Sequence, residues 1–200
     1  MRLSSRLRLF WFLLTLISFP ALGHTDVGVA GGLLSGLIHP VKGLDHLVAM
    51  IAVGLWGAQL RQPAIWLLPI TFPLVMALGG LAGLAGLPLP GLEIGIAASA
   101  IALGLAVGFA WRAPLWLAGL LVALFAVFHG YAHGRELPQA ADPLAYGAGF
   151  VVATGLLHLC GIGLGALTHW PRGAQWVRAL GVGIAVCGGY FLLAAAGGAG

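Results

Sequence analysis

Charge is what this sequence has least of. Only 7% of its 200 residues are Asp, Glu, Lys or Arg, against roughly 25% in soluble globular chains. With 60% hydrophobic residues and a mean hydropathy of +1.04, a water-soluble domain is excluded. A bilayer explains the deficit, because each Asp, Lys or Arg at its centre costs about 2.5–3.5 kcal/mol on insertion scales. Long polar stretches are missing too, so the length allows about six or seven spans and no sizeable extramembrane domain. Cysteine is scarce: Cys160 and Cys187 both lie in apolar runs, which indicates neither a disulfide framework nor a thiolate zinc site. No Gly-x4-Gly-Lys-Ser/Thr run occurs, so nothing within the chain reads as an ATPase. The nine basic residues outnumber five acidic ones, but Arg2, Arg6 and Arg8 belong to the extreme N-terminus. The remainder is near neutral, which argues against nucleic acid as a partner. Glycine, by contrast, is abundant at 33 residues, as suits membrane helices that approach one another closely.

The three N-terminal arginines precede an apolar run, Leu9 to Phe19, then Pro20 and Ala21-Leu22-Gly23. That order reads as a secretory signal peptide, residues 1–23, cut before His24; the competing reading is an uncleaved first helix. Residues 24–200 then form a single all-α transmembrane domain. Val27 to Ile38 is apolar but spans only about 18 Å as a helix, short of the roughly 30 Å hydrocarbon core. It is expected to be a re-entrant or kinked segment ahead of the first full span, with Pro40 holding His39 out of helical geometry. Six spans follow, at about 44–60, 64–84, 92–110, 115–133, 144–168 and 177–196. With the signal removed, both termini face the periplasm of an inner-membrane protein. Arg61, Arg112, Arg172 and Arg178 then lie inside, and Lys42 and Arg135 outside, as the positive-inside bias requires.

Two polar runs stand out against this background. One is His39-Pro40-Val41-Lys42-Gly43-Leu44-Asp45-His46, and the other Phe128-His129-Gly130-Tyr131-Ala132-His133-Gly134-Arg135-Glu136. The topology puts both at the outer side, together with Glu93 at the start of the third span. Ionisable groups at membrane depth are costly and mark functional sites by default. His129 and His133, four residues apart, share one helix face about 5–6 Å apart, and Glu136 continues it. The break at Pro40 and Gly43 is expected to fold His39 back toward Asp45 and His46. Imidazoles and carboxylates without thiolates suit Ni(II), Co(II) or Zn(II), and some of the carboxylates are alternatively orienting partners of the imidazoles. Each piece also has a structural reading: a Lys42–Asp45 ion pair, interfacial hydrogen bonds at the His129/His133 pair, and Glu93 favoured by a helix N-terminus. His158, mid-span beside Thr154, is either a deeper ligand or a satisfied core histidine, the core role being slightly favoured. His169 reads as interfacial, Phe72 as packing, and His24 as a chelating terminus if cleavage occurs.

These runs resemble the signatures of the HupE/UreJ family of nickel/cobalt permeases. One signature is His, five residues, then Asp-His, here His39, Asp45 and His46. The other is Phe-His-Gly-x-Ala-His-Gly-x-Glu, here Phe128 to Glu136 with every fixed position matched, and a glutamate, here Glu93, opens the third span. The resemblance implies an inward permease for Ni(II) or Co(II) that supplies hydrogenase or urease maturation. It implies His39, Asp45, His46, His129, His133 and Glu136 as metal contacts, no permanently held cofactor, and no enzymatic activity. Homo-oligomerisation is compatible with such a chain. The rival readings are a haem-binding membrane cytochrome, an intramembrane metallo-enzyme (for which no His-Glu-x-x-His run is present) and an anchoring protein without transport.

Overall fold

A computed structural model describes residues 29–137 and 142–197, so the expected signal peptide and His24 lie outside the described residues. Every regular element among them is helical: α1 (Val29–Lys42), α2 (Leu44–Leu60), α3 (Ala64–Leu84), α4 (Leu92–Gly108), α5 (Leu115–Arg135), α6 (Pro143–Gly165), a 3-10 turn (Ala166–His169) and α7 (Gly173–Gly197). The breaks fall where the sequence carries backbone punctuation. Arg61-Gln62-Pro63 separates α2 from α3, Gly86 and Gly91 take positive φ between α3 and α4, and Pro114 precedes α5. At α6 the carboxylate of Asp142 accepts from the backbone N–H groups of Leu144 and Ala145, both at 2.9 Å. Pro143 sits in the first turn, where its missing N–H removes no helical bond.

α2 is the central helix, packed against α1, α3, α4, α6 and α7. Ala49, Met50, Ala52, Val53, Leu55 and Trp56 are wholly buried along it. The outer surfaces are apolar instead of polar. Leu74, Leu78 and Leu81 on α3 are 65%, 65% and 62% exposed, a stripe at helical spacing that water would penalise and lipid would not. α3, α5, α6 with its 3-10 extension, and α7 are each long and apolar enough to cross a membrane, and α1 with α2 counts as a fifth span if the bent pair is taken together. α4 has 17 residues and spans about 25 Å. The described residues are therefore all-helical, with four to five helices of membrane-spanning length among them.

At one end of the bundle the carbonyls left over at the C-terminus of α4 are taken up by side chains. Gln59 Nε2 donates to the Val107 carbonyl at 3.1 Å, and Arg178 Nε to the Gly108 carbonyl at 2.9 Å. Trp56 Nε1 donates to the Trp111 carbonyl at 2.9 Å, its ring stacked on Trp111. This end therefore gathers the α2, α4 and α7 termini, and with them Arg61, Arg112 and Arg178. The other end gathers the start of α2 and the end of α5, where the two polar runs lie.

One local expectation needs correcting. Pro40 does not expel His39 from helical geometry, because α1 runs through both to Lys42. The pre-proline preference is overridden by packing: a side chain at Gly36 or Gly149 would meet the backbone of the facing helix, so α1 and α6 lie too close for either to bend away. The break comes instead at Gly43, where the chain turns by 81° into α2. That turn leaves His39 on one arm and His46 on the other.

Candidate metal centre

The arrangement at the polar end follows from three helices. α5 carries His129 and His133 one turn apart, α2 brings His46 across from them, and the arm of α1 brings His39 over the top. His46 and His129 are each 1% exposed. His46 Nδ1 lies 3.3 Å from His129 Nδ1 and 3.2 Å from His133 Nε2. Each of the three offers one nitrogen within 4.8 Å of the others. Two nitrogens held about 2.0–2.1 Å from one ion at a tetrahedral angle lie roughly 3.3 Å apart, so the spacing is that of a coordination polyhedron's edges.

Protons decide what these nitrogens can do, and the surroundings place them. Ser99 Oγ donates its single hydrogen to the Ile96 carbonyl at 2.6 Å, so at 2.8 Å from His129 Nε2 it can only accept. His129 therefore carries its proton on Nε2 and turns the lone pair of Nδ1 toward His46. His133 Nδ1 lies 3.5 Å from the Glu136 carboxylate without a formed hydrogen bond, and the negative charge there favours the proton on Nδ1 over Nε2. His46 Nε2 lies 3.3 Å from Thr154 Oγ1, a hydroxyl able to accept its proton. In the tautomer that uses this acceptor Nδ1 is free, and three lone pairs converge in a buried space. A cation is the group that relieves that convergence.

A second, more exposed group continues the first toward the surface. His39 Nε2 is 3.3 Å from Glu136 Oε2, and its ring packs edge-on against His133 at 4.9 Å between centroids. His39, His133 and Glu136 again offer donors within 4.8 Å of one another. His133 belongs to both groups and so links the surface to the interior. Phe150 closes one flank of the histidines, 4.3 Å from His133 and 5.1 Å from His46. An apolar cavity of about 620 Å³ opens beside His133 between α3, α5 and α6, with Tyr146 also in its lining.

Of the seven residues singled out in the sequence, five fall into these two groups. The other two do not. Asp45 sits at the N-terminus of α2 with Oδ1 accepting from the His46 backbone N–H at 2.8 Å, which anchors the first turn of the helix. Glu93 is exposed in the first turn of α4. Ser99, Thr154 and Phe150 were not picked out as site residues; the only sequence signal for the first two was a hydroxyl in an otherwise apolar helix.

Two consequences are testable here. Ser99→Ala removes the acceptor that fixes the His129 tautomer, and is expected to weaken cobalt binding about 10–100-fold, read by titration of the purified protein; unchanged affinity would refute the assigned tautomer. Glu136 is held well below the usual carboxylate range, at about 2, by His133 first and His39 second. A depressed carboxyl keeps its pairing above the ordinary range and loses it only as pH falls through about 2, so Glu136 is charged throughout the working range. Glu136→Gln should raise the Co(II) concentration for half-saturation of the purified protein by about tenfold through lost attraction. Unchanged affinity would show that the Glu136 charge does not act on the histidine groups.

The sequence matches the family described as HupE / UreJ protein over residues 12–191. Among curated relatives it is 41% identical over 181 residues to Protein HupE of Rhizobium leguminosarum bv. viciae, covering 90% of this chain and 95% of that protein. No solved structure matches the chain. A family match through nearly all of the helices, joined to a relative covered almost end to end, leaves no part of the site outside the shared region, and the chain belongs to the HupE/UreJ family.

Proposed function

We propose that the protein is a six-span secondary permease of the inner membrane that carries Ni(II), or Co(II), into the cytoplasm. The bent α1–α2 pair supplies the first span and α4 the third. The observation that carries this reading is the convergence of one ring nitrogen each from His46, His129 and His133, continued to the surface by His39 and Glu136. The outer pair of donors captures the hydrated ion, and His133 passes it to the buried trio, where nitrogen ligands replace water. Neutral imidazoles hold borderline metals such as Ni(II) and Co(II) better than the harder Mg(II) or Ca(II). Conduction requires ligands weak enough to release the ion, so affinity is modest and no ion is permanently held.

The arginines support the direction. Arg61, Arg112 and Arg178 lie at the bundle end opposite the histidines, which the positive-inside bias places in the cytoplasm. Both termini are then periplasmic, and the cluster opens to the periplasm. The intracellular destination is the maturation of hydrogenase or urease. A haem reading fits less well: axial imidazoles stand on opposite faces of a macrocycle, whereas His46 Nδ1 and His129 Nδ1 are 3.3 Å apart.

The test is uptake of radioactive nickel by cells that lack their own nickel transporters and express this protein, with excess cobalt and zinc as competitors. Accumulation above the empty-vector control, reduced by cobalt, supports the permease. Accumulation equal to that control, with the protein shown in the membrane, refutes it.

A further inference from the structure

His158 lies deeper on α6, one helical turn beyond Thr154, and is 1% exposed. Neither ring nitrogen makes a hydrogen bond of full geometry, which is less than a core histidine ordinarily has. A buried imidazole loses its hydration on both nitrogens, a cost normally offset by at least one bond. The Pro69 carbonyl on α3 lies close enough to draw on the ring's proton, and it has no helical donor to compete. Its helical donor would be the N–H of residue 73, which is also proline and has none. Pro69 in the same way frees the carbonyl of Ile65, one turn further along.

Resting on the permease reading above, we infer that His158 and the freed Pro69 carbonyl form a second, inner cation position, which receives the metal from the buried trio. The connection is continuous. Thr154 touches His46 at 3.3 Å and, four residues from His158, presents its hydroxyl on the same face of α6. The Phe72 ring fills the space alongside, 5.7 Å from His129 and 5.6 Å from His158 between centroids, so the two positions are neighbours. One imidazole and backbone carbonyls make a weaker, harder donor set than three imidazoles, so the inner position binds less tightly. Two divalent ions at such separation repel through a medium of low dielectric constant, and arrival at the trio drives the inner ion onward, as between adjacent sites in channels.

The test is titration of the purified full-length protein in detergent with Co(II), followed by its visible absorption, alongside nickel uptake in cells. The wild type is expected to take up two equivalents, one tight and one weaker. His158→Ala should retain the tight equivalent, lose the weaker one and slow uptake tenfold or more. Pro73→Ala, which restores an N–H to occupy the Pro69 carbonyl, should weaken only the second equivalent; it carries the test even if His158→Ala fails to fold. Two equivalents persisting with unchanged affinity in either variant, or uptake unaffected by both, overturns the inner position and leaves the permease standing. A wild type that binds no Co(II) and moves no nickel overturns both.

Discussion

Replacement of His46 by alanine is expected to reduce nickel uptake to the level of cells carrying no transporter, while the protein still reaches the membrane and stays folded. Loss of an orienting partner alone costs about 10–100-fold in metal affinity, and His46 is a donor at the centre of the trio. Its Nδ1 is within 3.3 Å of nitrogens on both His129 and His133, so without it two donors remain on one face of α5 and nothing opposes them. Its Nε2 contact with Thr154 is also the connection toward His158, so both binding at the trio and onward transfer fail together. The contrast with Glu136→Gln makes the result diagnostic. An outer charge that gathers ions alters the concentration dependence, whereas a ligand that must be in place for transfer alters the maximal rate. The measurement is therefore initial uptake rate across nickel concentrations for both variants, with Co(II) titration of the purified proteins. His46→Ala transporting at the wild-type rate, or retaining the tight Co(II) equivalent, would remove the buried trio from the mechanism.

How far the sequence foretold this site depends on whether each feature is local. Spans expected at 44–60 and 64–84 coincide with α2 and α3, because Gly43, Arg61-Gln62-Pro63 and the Gly86–Gly91 turn region interrupt an otherwise uniform apolar run. The shared face of His129 and His133 follows from helical periodicity alone. The approach of His39 could not be read in the same way. It depends on an 81° bend at Gly43, set by the close packing of α1 on α6, whereas Pro40 lies inside the helix. For Ser99 and Thr154 the gap is of another kind. A hydroxyl in an apolar helix can bond its own backbone, and only the tertiary neighbours show that Ser99 and Thr154 face imidazoles 30 and 108 residues away in sequence. For His158 the mid-span position slightly favours a core role, and the lack of a well-formed hydrogen bond to either ring nitrogen turns it toward a ligand.

The glycines of the second polar run do different work from its histidines, and Gly130→Leu is expected to abolish the folded protein, not just its metal binding. Gly130 and Gly134 follow His129 and His133 by one residue each, so they form a parallel ridge about 100° around α5. A side-chain carbon added at Gly130 would collide with the backbone of Met76, and one at Gly134 with the backbone of Gly80, both on α3. Gly79 and Gly83 of α3 meet the backbones of Val127 and Tyr131 in return. This is the small-residue contact by which membrane helices pack closely. The obstacle is backbone, so a larger side chain cannot be accommodated by a change of rotamer, and the cost should exceed the roughly 1–3 kcal/mol of ordinary overpacking. Gly119 on the same helix supplies the control, since a side chain there would meet nothing within 4 Å; Gly119→Ala should gain up to about 1 kcal/mol of helix propensity. Thermal unfolding of the detergent-purified proteins, followed by tryptophan fluorescence, compares the two. A Gly130→Leu protein that melts with the wild type would show that α3 and α5 do not meet there. If it unfolds while His46→Ala stays folded, the run separates into a ridge that sets the helix spacing and a ridge that holds the ion. The spacing is what the proposed ion site needs: the 3.2 and 3.3 Å separations at His46 depend on α5 standing at one fixed place in the bundle.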